Sequence, residues 1–282
     1  MKVHIIGLGL IGGSFALGLR KEFPGVEITG DDTSEDHLLK AQELRLIDRP
    51  ATMEIIQDVD VVIVSVPVDV AKKVAVEVLD HVGVNTLVFD AGSTKAGLCE
   101  TIAGHANRRN FLAAHPIAGT EFSGPGAAVE DLYRSKTNII CEVEKTAFKL
   151  QERALEIFQK LGMRIRYMDP KSHDRHIAYV SHLSHISSFM LGKTVLEKEQ
   201  NEKDIFDLAG SGFASTVRLA KSSPAMWTPI FQQNKNNILE TLEEYINNLT
   251  SFKNLIEKDD FKEVFLEMER TNHIKTILNG IN

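Results

Sequence analysis

Short apolar runs recur through the first part of the chain and alternate with helical stretches. The runs cover residues 3–6, 26–30, 59–66, 86–90, 111–114, 137–142 and 163–168. Residues 59–66, VDVVIVSV, are almost continuously β-branched, which is typical of a strand buried on both faces of a parallel sheet, and residues 86–90 form another such run. Because helical segments such as residues 14–22 separate the runs, the pattern predicts strand–helix–strand crossovers around a parallel core sheet.

The periodicity changes near Asp169-Pro170, and beyond Ser172 the pattern predicts helices only. Apolar residues now repeat every three or four positions, as on one face of a helix. They form two sets: Ile177, Val180, Leu183, Ile186 and Met190, then Ile238, Leu239, Leu242, Tyr245, Ile246 and Leu249. We predict an α/β protein in which a parallel-sheet domain, residues 1–168, precedes an all-α domain, residues 169–282. The wide apolar faces favour pairing with a second copy, although a large intramolecular core would give the same pattern.

A glycine-rich turn, GLGLIG at residues 7–12, follows the first predicted strand and opens a helix. The spacing GxGxxG in this context is the fingerprint of a Rossmann-type dinucleotide-binding domain. Gly7 allows the tight turn, Gly9 lets the pyrophosphate approach the backbone, and Gly12 lets the helix pack against the strand. Leu10 and Ile11 complete the turn, where the free N–H groups of a helix N-terminus favour phosphate. We therefore predict that residues 1–168 bind NAD or NADP.

Two acids, Asp31 and Asp32, follow the second predicted strand about 20 residues after the glycine turn. A carboxylate at this position bonds the ribose hydroxyls and repels a 2′-phosphate, so NAD is favoured over NADP. We favour Asp32, since Gly30 is expected to end the strand and the next residue to turn away. Ser65 and Pro67 lie at the end of the third apolar run, at the edge where ligands bind an open sheet. Pro67 forces the chain to turn beside the cofactor.

Composition and charge restrict the class of protein further. Over 282 residues the formal net charge is −7, which argues against a nucleic-acid surface and means that an anionic ligand needs locally placed cations. The two cysteines, Cys99 and Cys141, do not form a disulfide framework and are expected to be buried, inert thiols. The sequence has no apolar run long enough for a membrane helix and no signal-peptide pattern at its start, so we expect a cytoplasmic protein without membrane partners.

Two polar loops close consecutive predicted strands. The first, DAGSTK, contains Ser93, and the second, HPIAGTE, begins at His115 and contains Thr120 and Glu121. Loops at consecutive strand ends converge on one crevice. A histidine titrates near neutrality and can accept a hydroxyl proton. From these local features alone, a structural His115 is as well supported as a catalytic one.

The segments GLGLIGGS, SVP, DAGSTK, HPIAGTE, SHLSH and RLAKSSPAMW occur in this order between residue 3 and about residue 235. Together they resemble the prephenate dehydrogenase family, which includes arogenate and cyclohexadienyl dehydrogenases. The resemblance implies a Rossmann domain for NAD(P) and a helical domain that completes the substrate site and forms a homodimer. It also implies oxidative decarboxylation of prephenate to 4-hydroxyphenylpyruvate, in tyrosine biosynthesis, without a metal.

The resemblance also assigns roles to single residues. It implies that His115 is the base that accepts the hydroxyl proton and that Ser93 bonds and orients this histidine and the substrate. Thr120 and Glu121 resemble residues that line or gate the pocket.

Further substrate-side residues are expected in the helical domain. His182 and His185, in SHLSH, are three positions apart and can face one side of a helix. The resemblance gives this segment, chiefly His185, a substrate-side role, and metal binding is disfavoured because no matched carboxylate or cysteine accompanies the pair. We predict that Arg218 binds a substrate carboxylate, since arginine forms planar bidentate pairs with carboxylates. Trp227 closes the same RLAKSSPAMW segment and is assigned to the substrate site.

Five further positions are not assigned to the substrate or cofactor site. His173 and His176 are expected to be surface or interdomain residues. Ser215 and Ser223 stand where relatives often carry acids, and these two departures leave open the choice between prephenate and arogenate. Ser184 stands where relatives usually carry proline, which is expected to shift this turn of the helix slightly.

Three alternatives to a prephenate dehydrogenase remain. An arogenate dehydrogenase would use the same site on the amino analogue of the substrate. A β-hydroxyacid dehydrogenase would need a catalytic lysine motif in the helical domain, which the sequence does not show. A non-catalytic NAD-binding sensor would have no reason to keep Ser93, His115, His185 and Arg218 together.

Overall fold

One mixed sheet forms the centre of the protein in a computed structural model, which describes residues 1–200, 202 and 204–279. Its strands, in order across the sheet, are numbered β3-β2-β1-β4-β5-β6-β7-β8 along the chain. Their bounds are β1 Lys2–Ile6, β2 Glu27–Asp31, β3 Arg49–Pro50, β4 Val61–Val64, β5 Leu87–Asp90, β6 Phe111–Pro116, β7 Thr137–Cys141 and β8 Arg164–Met168. This order is the doubly wound arrangement of a Rossmann-type domain, so the predicted fold class is confirmed.

The helices lie on both sides of the sheet and then continue without further strands among the described residues. Their bounds are α1 Leu10–Glu22, α2 Glu35–Glu43, α3 Val68–His81, α4 Ala96–Ile102, α5 Phe148–Lys160, α6 Pro170–Ile177, α7 Leu183–Glu199, α8 Ser211–Thr216, α9 Pro224–Gln233, α10 Lys235–Glu257, α11 Phe261–Thr271 and α12 Ile274–Leu278. A single π-helical turn, Ala178–His182, joins α6 to α7.

The sheet differs from the predicted one at β7, which runs antiparallel to β6. All other neighbouring strands are parallel. The segment between β6 and β7, residues 117–136, contains a single short 3₁₀ turn, Pro125–Ala127, and no long crossover helix. Because β7 starts at the edge where β6 ends, it must run in the opposite direction.

Three local expectations also need correction. Helix α1 begins at Leu10 rather than at residue 14, because Gly12 and Gly13 belong to its first turns. Strand β2 continues to Asp31 instead of ending at Gly30. The two-residue strand β3 is absent from the predicted set, since its sequence Arg-Pro carries no apolar signal.

Apolar clusters on the two faces of the sheet hold the helices in place. On one face Phe15, Phe89, Tyr133 and Phe158 pack as aromatic pairs with ring centroids 4.3–5.4 Å apart. On the other face the side chains of β4 and β5 pack against α3 and α4. The central strand β4 is buried at every position, as its continuous apolar run predicts.

The described chain divides into two compact units, Met1–Lys235 and Asn236–Asn282. The first contains the whole sheet and the helices up to α9. The change from strands to helices falls between Met168 and Pro170, where the sequence predicts a domain boundary; that boundary stays a prediction. No helix among the described residues is long and apolar enough to cross a membrane.

Candidate active site

The glycine turn has the geometry of a phosphate cradle. Gly7 has φ +90°, and a Cβ there would lie 2.5 Å from the carbonyl oxygen of Ser65. A Cβ at Gly12 would lie 2.0 Å from the carbonyl oxygen of Gly7. By contrast, a Cβ at Gly9 would meet nothing within 4 Å, and Gly9 starts α1 without a side-chain cap. The open space at Gly9 and the free N–H groups of α1 fit the pyrophosphate of a dinucleotide.

Neighbouring residues fix this turn to the sheet. The Ser65 hydroxyl donates to the carbonyl oxygens of Gly7 at 2.7 Å and Ile6 at 3.1 Å. Pro67 is the N-cap of α3, three residues after β4 ends, so the chain turns there as its place in the sequence predicts. Ile11 accepts a hydrogen bond of 2.7 Å from the Tyr133 hydroxyl. Ser65 and Pro67 thus lie at the predicted edge, and their cofactor contacts stay a prediction.

The structure distinguishes the two acids after β2. Asp32 accepts hydrogen bonds from the backbone N–H of Leu8 at 2.8 Å and of Ser34 at 3.0 Å, so its carboxylate faces the glycine turn. The His37 imidazole lies 3.3 Å from the same carboxylate. Asp31 ends the strand, and burial raises the pKa of its carboxyl group. These contacts support Asp32 as the ribose-binding acid.

His115 lies at the carboxyl end of β6 and is buried, with 8% of its surface exposed. Its Nδ1 is 2.8 Å from Nε2 of His173, whose Nδ1 is 2.8 Å from Oδ1 of Asp174. His173 is only 2% exposed, so it is not a surface residue, and its other expected position, between the domains, stays a prediction. It is buried because α6 packs against α4 and β7, which brings residues 58 positions apart into contact.

The Asp174 carboxylate is held by the start of α4. The backbone N–H of Lys95 donates to Oδ1 at 2.7 Å, and that of Ala96 donates to Oδ2 at 2.9 Å. On its other side, the Asn234 amide donates to the Asp174 carbonyl oxygen at 2.6 Å. Sequence reasoning missed His173, Asp174 and Asn234; an adjacent His-Asp pair at a helix start is the signal it could have used.

A second buried pair lies beneath His115. The Lys95 ammonium is fully buried and pairs with the Asp90 carboxylate, which also accepts from the backbone N–H of Gly92 and of Ala114, each at 3.0 Å. Burial, together with the neighbouring His173, Lys95 and His182 side chains, holds the pKa of His115 well below its usual 6.5. His115 is therefore a neutral imidazole at physiological pH, the form that accepts a proton.

Ser93 is half-buried in the loop after β5, between Asp90 and Lys95 in the chain. The hydrogen bond that the structure gives His115 goes to His173, and the predicted role of Ser93 in orienting His115 stays a prediction. The next residue, Thr94, donates to the Gln233 side chain at 2.8 Å, and Gln233 donates to the Val68 carbonyl oxygen. This network joins α9 to the carboxyl edge of the sheet.

The two histidines of SHLSH both contact Trp227, as their spacing of three predicts. The His185 ring stacks on Trp227 at 3.5 Å between centroids, and the His182 ring meets it edge-on at 5.8 Å. Asn234 donates to Nδ1 of His182 at 3.1 Å, which leaves the proton on Nε2. Burial lowers the pKa of His182 to about 4 and also lowers that of His185. Nε2 of His182 and Nε1 of Trp227 are buried and have no hydrogen-bond partner in the described chain.

Arg218 lies at the start of a 3₁₀ turn, Arg218–Lys221, and its guanidinium is 3.3 Å from the Glu121 carboxylate. Half of the Arg218 side chain is exposed, 51%, so this pair is accessible to a ligand. Thr120, also exposed, accepts from the backbone N–H of Phe122 at 3.2 Å. The structure thus brings Glu121 and Arg218, 97 residues apart, to one place.

Among the described residues, no group of three or more His, Cys, Asp or Glu side chains is placed to hold a metal ion. Cys99 and Cys141 are free and buried, as predicted. Burial raises the pKa of Cys99 to about 12 and that of Cys141 further, so both thiols stay protonated and unreactive.

A doubly wound sheet with a glycine cradle, an acid that faces this cradle and a buried histidine at the carboxyl edge is typical of a dinucleotide-dependent oxidoreductase. Residues 15–167 match the family model described as "Prephenate dehydrogenase, nucleotide-binding domain", and residues 169–270 match "Prephenate dehydrogenase, dimerization domain". The chain therefore belongs to the prephenate dehydrogenase family, whose members are NAD-dependent oxidoreductases.

Curated relatives and solved structures agree with this assignment. The chain is 32% identical to a prephenate dehydrogenase of Bacillus subtilis over 93% of its own length and 72% of the relative's. It is 27% identical to a cyclohexadienyl dehydrogenase of Zymomonas mobilis over 92% and 89% of the two chains.

Among solved structures, prephenate dehydrogenase from A. aeolicus in complex with hydroxyphenyl propionate and NAD+ superposes with a TM-score of 0.90 and 31% identity, covering 99% of this chain and 98% of that one. Synechocystis arogenate dehydrogenase superposes with a TM-score of 0.78 and 26% identity, over 99% and 100% of the two chains.

Proposed function

We propose that this protein is a prephenate dehydrogenase that oxidatively decarboxylates prephenate to 4-hydroxyphenylpyruvate with NAD, a step of tyrosine biosynthesis. The observation that carries the proposal is His115, a buried imidazole kept neutral at the carboxyl edge of a dinucleotide-binding sheet. The family membership and the superposition on an NAD-bound prephenate dehydrogenase support the substrate and the cofactor.

The reaction needs a base, a hydride acceptor and a site for a dianion. NAD, when bound, supplies the hydride acceptor. Neutral His115 accepts the proton of the ring hydroxyl through Nε2, while the hydride leaves the carbon that bears this oxygen. The ring carboxylate departs as CO₂, and its bonding electrons complete the aromatic ring. The proton held on His115 then returns to the phenol oxygen of the product.

We assign substrate binding to the side chains that face this chemistry from the helices. Arg218 would form a bidentate pair with one substrate carboxylate. This carboxylate would replace Glu121 on the guanidinium or bind beside it. His185 and Trp227 provide a stacked wall. The buried N–H groups of His182 and Trp227, which have no partner in the described chain, are suited to bond polar substrate atoms. Thr120, the exposed neighbour of Glu121, is assigned to the same substrate site.

We further propose that residues 1–168 form the cofactor domain and residues 169–282 the substrate and dimerisation domain. The match of residues 169–270 to a dimerization-domain model supports this division. A reducing, cytoplasmic location agrees with the two free, buried thiols of Cys99 and Cys141.

Turnover measured with prephenate or arogenate, each with NAD or NADP, tests the proposal directly. Absorbance of the reduced cofactor reports the rate. We expect the highest kcat/KM for prephenate with NAD. Preference for arogenate would reassign the substrate, and NAD binding without turnover of either compound would make the protein a sensor instead of an enzyme.

Cofactor choice should depend on Asp32. Replacing Asp32 with Ala removes the carboxylate that would bond the ribose hydroxyls and repel a 2′-phosphate. Because a hydrogen bond to a charged group contributes about 1.5–3 kcal/mol, we expect KM for NAD to rise roughly 10- to 100-fold and the preference over NADP to narrow. Steady-state kinetics with both cofactors measure the effect. Asp31→Ala is the control and should change the ratio much less; equal use of NAD and NADP by the unaltered enzyme would contradict the assignment.

The protein should be a homodimer through its helical part. In the unit Asn236–Asn282, large apolar side chains are about half exposed, namely Leu239, Ile246, Leu249, Phe265 and Met268. Apolar patches of this kind mark association surfaces. Light scattering at micromolar concentration should give twice the mass of the chain, and Ile246→Asp with Leu249→Asp should give the monomer mass. Leu39→Asp, on the exposed side of α2, is the matched control and should leave the dimer intact. A monomeric unaltered protein would refute the prediction.

A further inference from the structure

His115 does not stand alone at the end of β6, since a continuous chain of hydrogen bonds leads from its Nδ1 to a buried carboxylate. Both links, His115 to His173 and His173 to Asp174, measure 2.8 Å. All three residues are buried, with 8%, 2% and 4% of their surfaces exposed. We propose that His173 and Asp174 are positioning residues for the reaction, which fix the tautomer of His115 and compensate the charge it acquires. This inference rests on the proposed role of His115 as the base.

When both imidazoles are neutral, the chemistry of the three groups allows one arrangement of protons. An ionised carboxylate only accepts hydrogen bonds, so the proton of His173 lies on Nδ1, facing Asp174. Nε2 of His173 then carries a lone pair and accepts from Nδ1–H of His115. The second nitrogen of His115, Nε2, is left with its lone pair. His115 therefore presents a proton acceptor toward substrate before any substrate arrives, in the manner of a base oriented by a third group.

Asp174 is held in its ionised form by the surrounding backbone. Burial alone would raise the pKa of Asp174. Hydrogen bonds from His173 and from the backbone N–H of Lys95 and Ala96 instead keep this pKa below its usual range. The two N–H groups approach both carboxylate oxygens, and Asn234 bonds the carbonyl oxygen of the same residue. The carboxylate therefore cannot rotate away from His173.

The same chain compensates charge during the reaction. When His115 takes the hydroxyl proton at Nε2, it becomes an imidazolium in a buried site, where an unpaired charge is costly. The other groups that face it give no compensation: Lys95 is a cation already paired with Asp90, and His182 is a neutral ring with a pKa of about 4. Asp174, joined through His173, is the negative charge connected to His115 by hydrogen bonds.

Kinetics of two variants test the positioning role. His173→Gln and Asp174→Asn should each lower kcat about 10- to 100-fold, because each removes part of the effect of a positioned general base. KM for substrate and affinity for NAD should change by less than about threefold. His176→Gln is the matched control, since His176 is an exposed histidine on the same helix, and it should leave kcat unchanged.

The pH dependence separates positioning from a loss of structure. In the unaltered enzyme kcat/KM should fall with acid only below pH 6.5, because His115 has a lowered pKa and must be neutral to act. Asp174→Asn removes the charge that stabilises the imidazolium, so the pKa of His115 falls and the acid limb should move to still lower pH. A merely structural defect would lower activity without moving this limb. An unmoved limb or an unchanged kcat in both variants would overturn the proposal.

A measurement of the His115 tautomer on the unaltered protein needs no substrate. In ¹⁵N-histidine NMR spectra, the His115 resonances are identified by their disappearance in His115→Asn. We expect the proton on Nδ1 and an unprotonated Nε2 at neutral pH, and the opposite tautomer would overturn the proposal. Absence of turnover with prephenate would instead count against the proposed function, so the two failures are distinguishable.

Discussion

His115→Asn is expected to lower turnover by roughly 100-fold or more, the usual contribution of a positioned general base. Asparagine can place an N–H close to the position of Nδ1 and keep the hydrogen bond to His173, so the buried site should stay nearly intact. No group of the new side chain reaches the position of Nε2, and the hydroxyl proton then has no acceptor. Steady-state kinetics should therefore show a fall in kcat with KM for prephenate changed much less.

Cofactor affinity is the internal control for this variant. The glycine cradle and Asp32 lie on β1, β2 and α1, away from His115 on β6, so an NAD titration should match that of the unaltered enzyme. An unchanged melting temperature would show that the fold is preserved. Near-normal turnover in His115→Asn would remove the base assignment, whatever the family relationship implies.

Arg218→Ala should mainly weaken substrate binding. Truncating one partner of a buried charge pair costs about 2–5 kcal/mol, and the lower end applies because half of the Arg218 side chain is exposed in the free protein. About 2 kcal/mol corresponds to roughly a 30-fold rise in KM for prephenate. The competing Glu121 contact is an exposed ion pair worth about 0–1 kcal/mol, so a substrate carboxylate can replace it readily.

Two further variants make the Arg218 experiment specific. Lys221→Ala removes an exposed cation from the same 3₁₀ turn and should leave KM unchanged. Arg218→Lys keeps the charge but loses the planar fork, and its KM should lie between the other two values. Affinity for NAD should be the same in all three. If Arg218→Ala has an unchanged KM and kcat, the guanidinium is a surface group without a role in binding.

Much of the architecture can be predicted from the sequence itself, because a strand or helix that is buried on one or both faces has a regular pattern of apolar residues. All strands except β3 lie within a few residues of the predicted runs, and helices alone follow Met168 in the described chain. The glycine turn can also be identified from the sequence, because the backbone at Gly7 and Gly12 leaves no space for a side chain. The family assignment likewise needed only the order and spacing of short motifs, and it is confirmed.

Contacts between distant residues were decided by the tertiary structure alone. Periodicity states that a residue is buried but not what it touches, so nothing in the sequence paired His115 with His173 or Asp174 with the start of α4. These contacts exist because α6 packs against α4 and β7. The reversal of β7 is of the same kind, since an apolar run has no direction until the connection after β6 is placed. The sequence therefore identified His115 as a candidate base by itself. The environment that keeps it neutral arises only when separate elements of the fold bury it together.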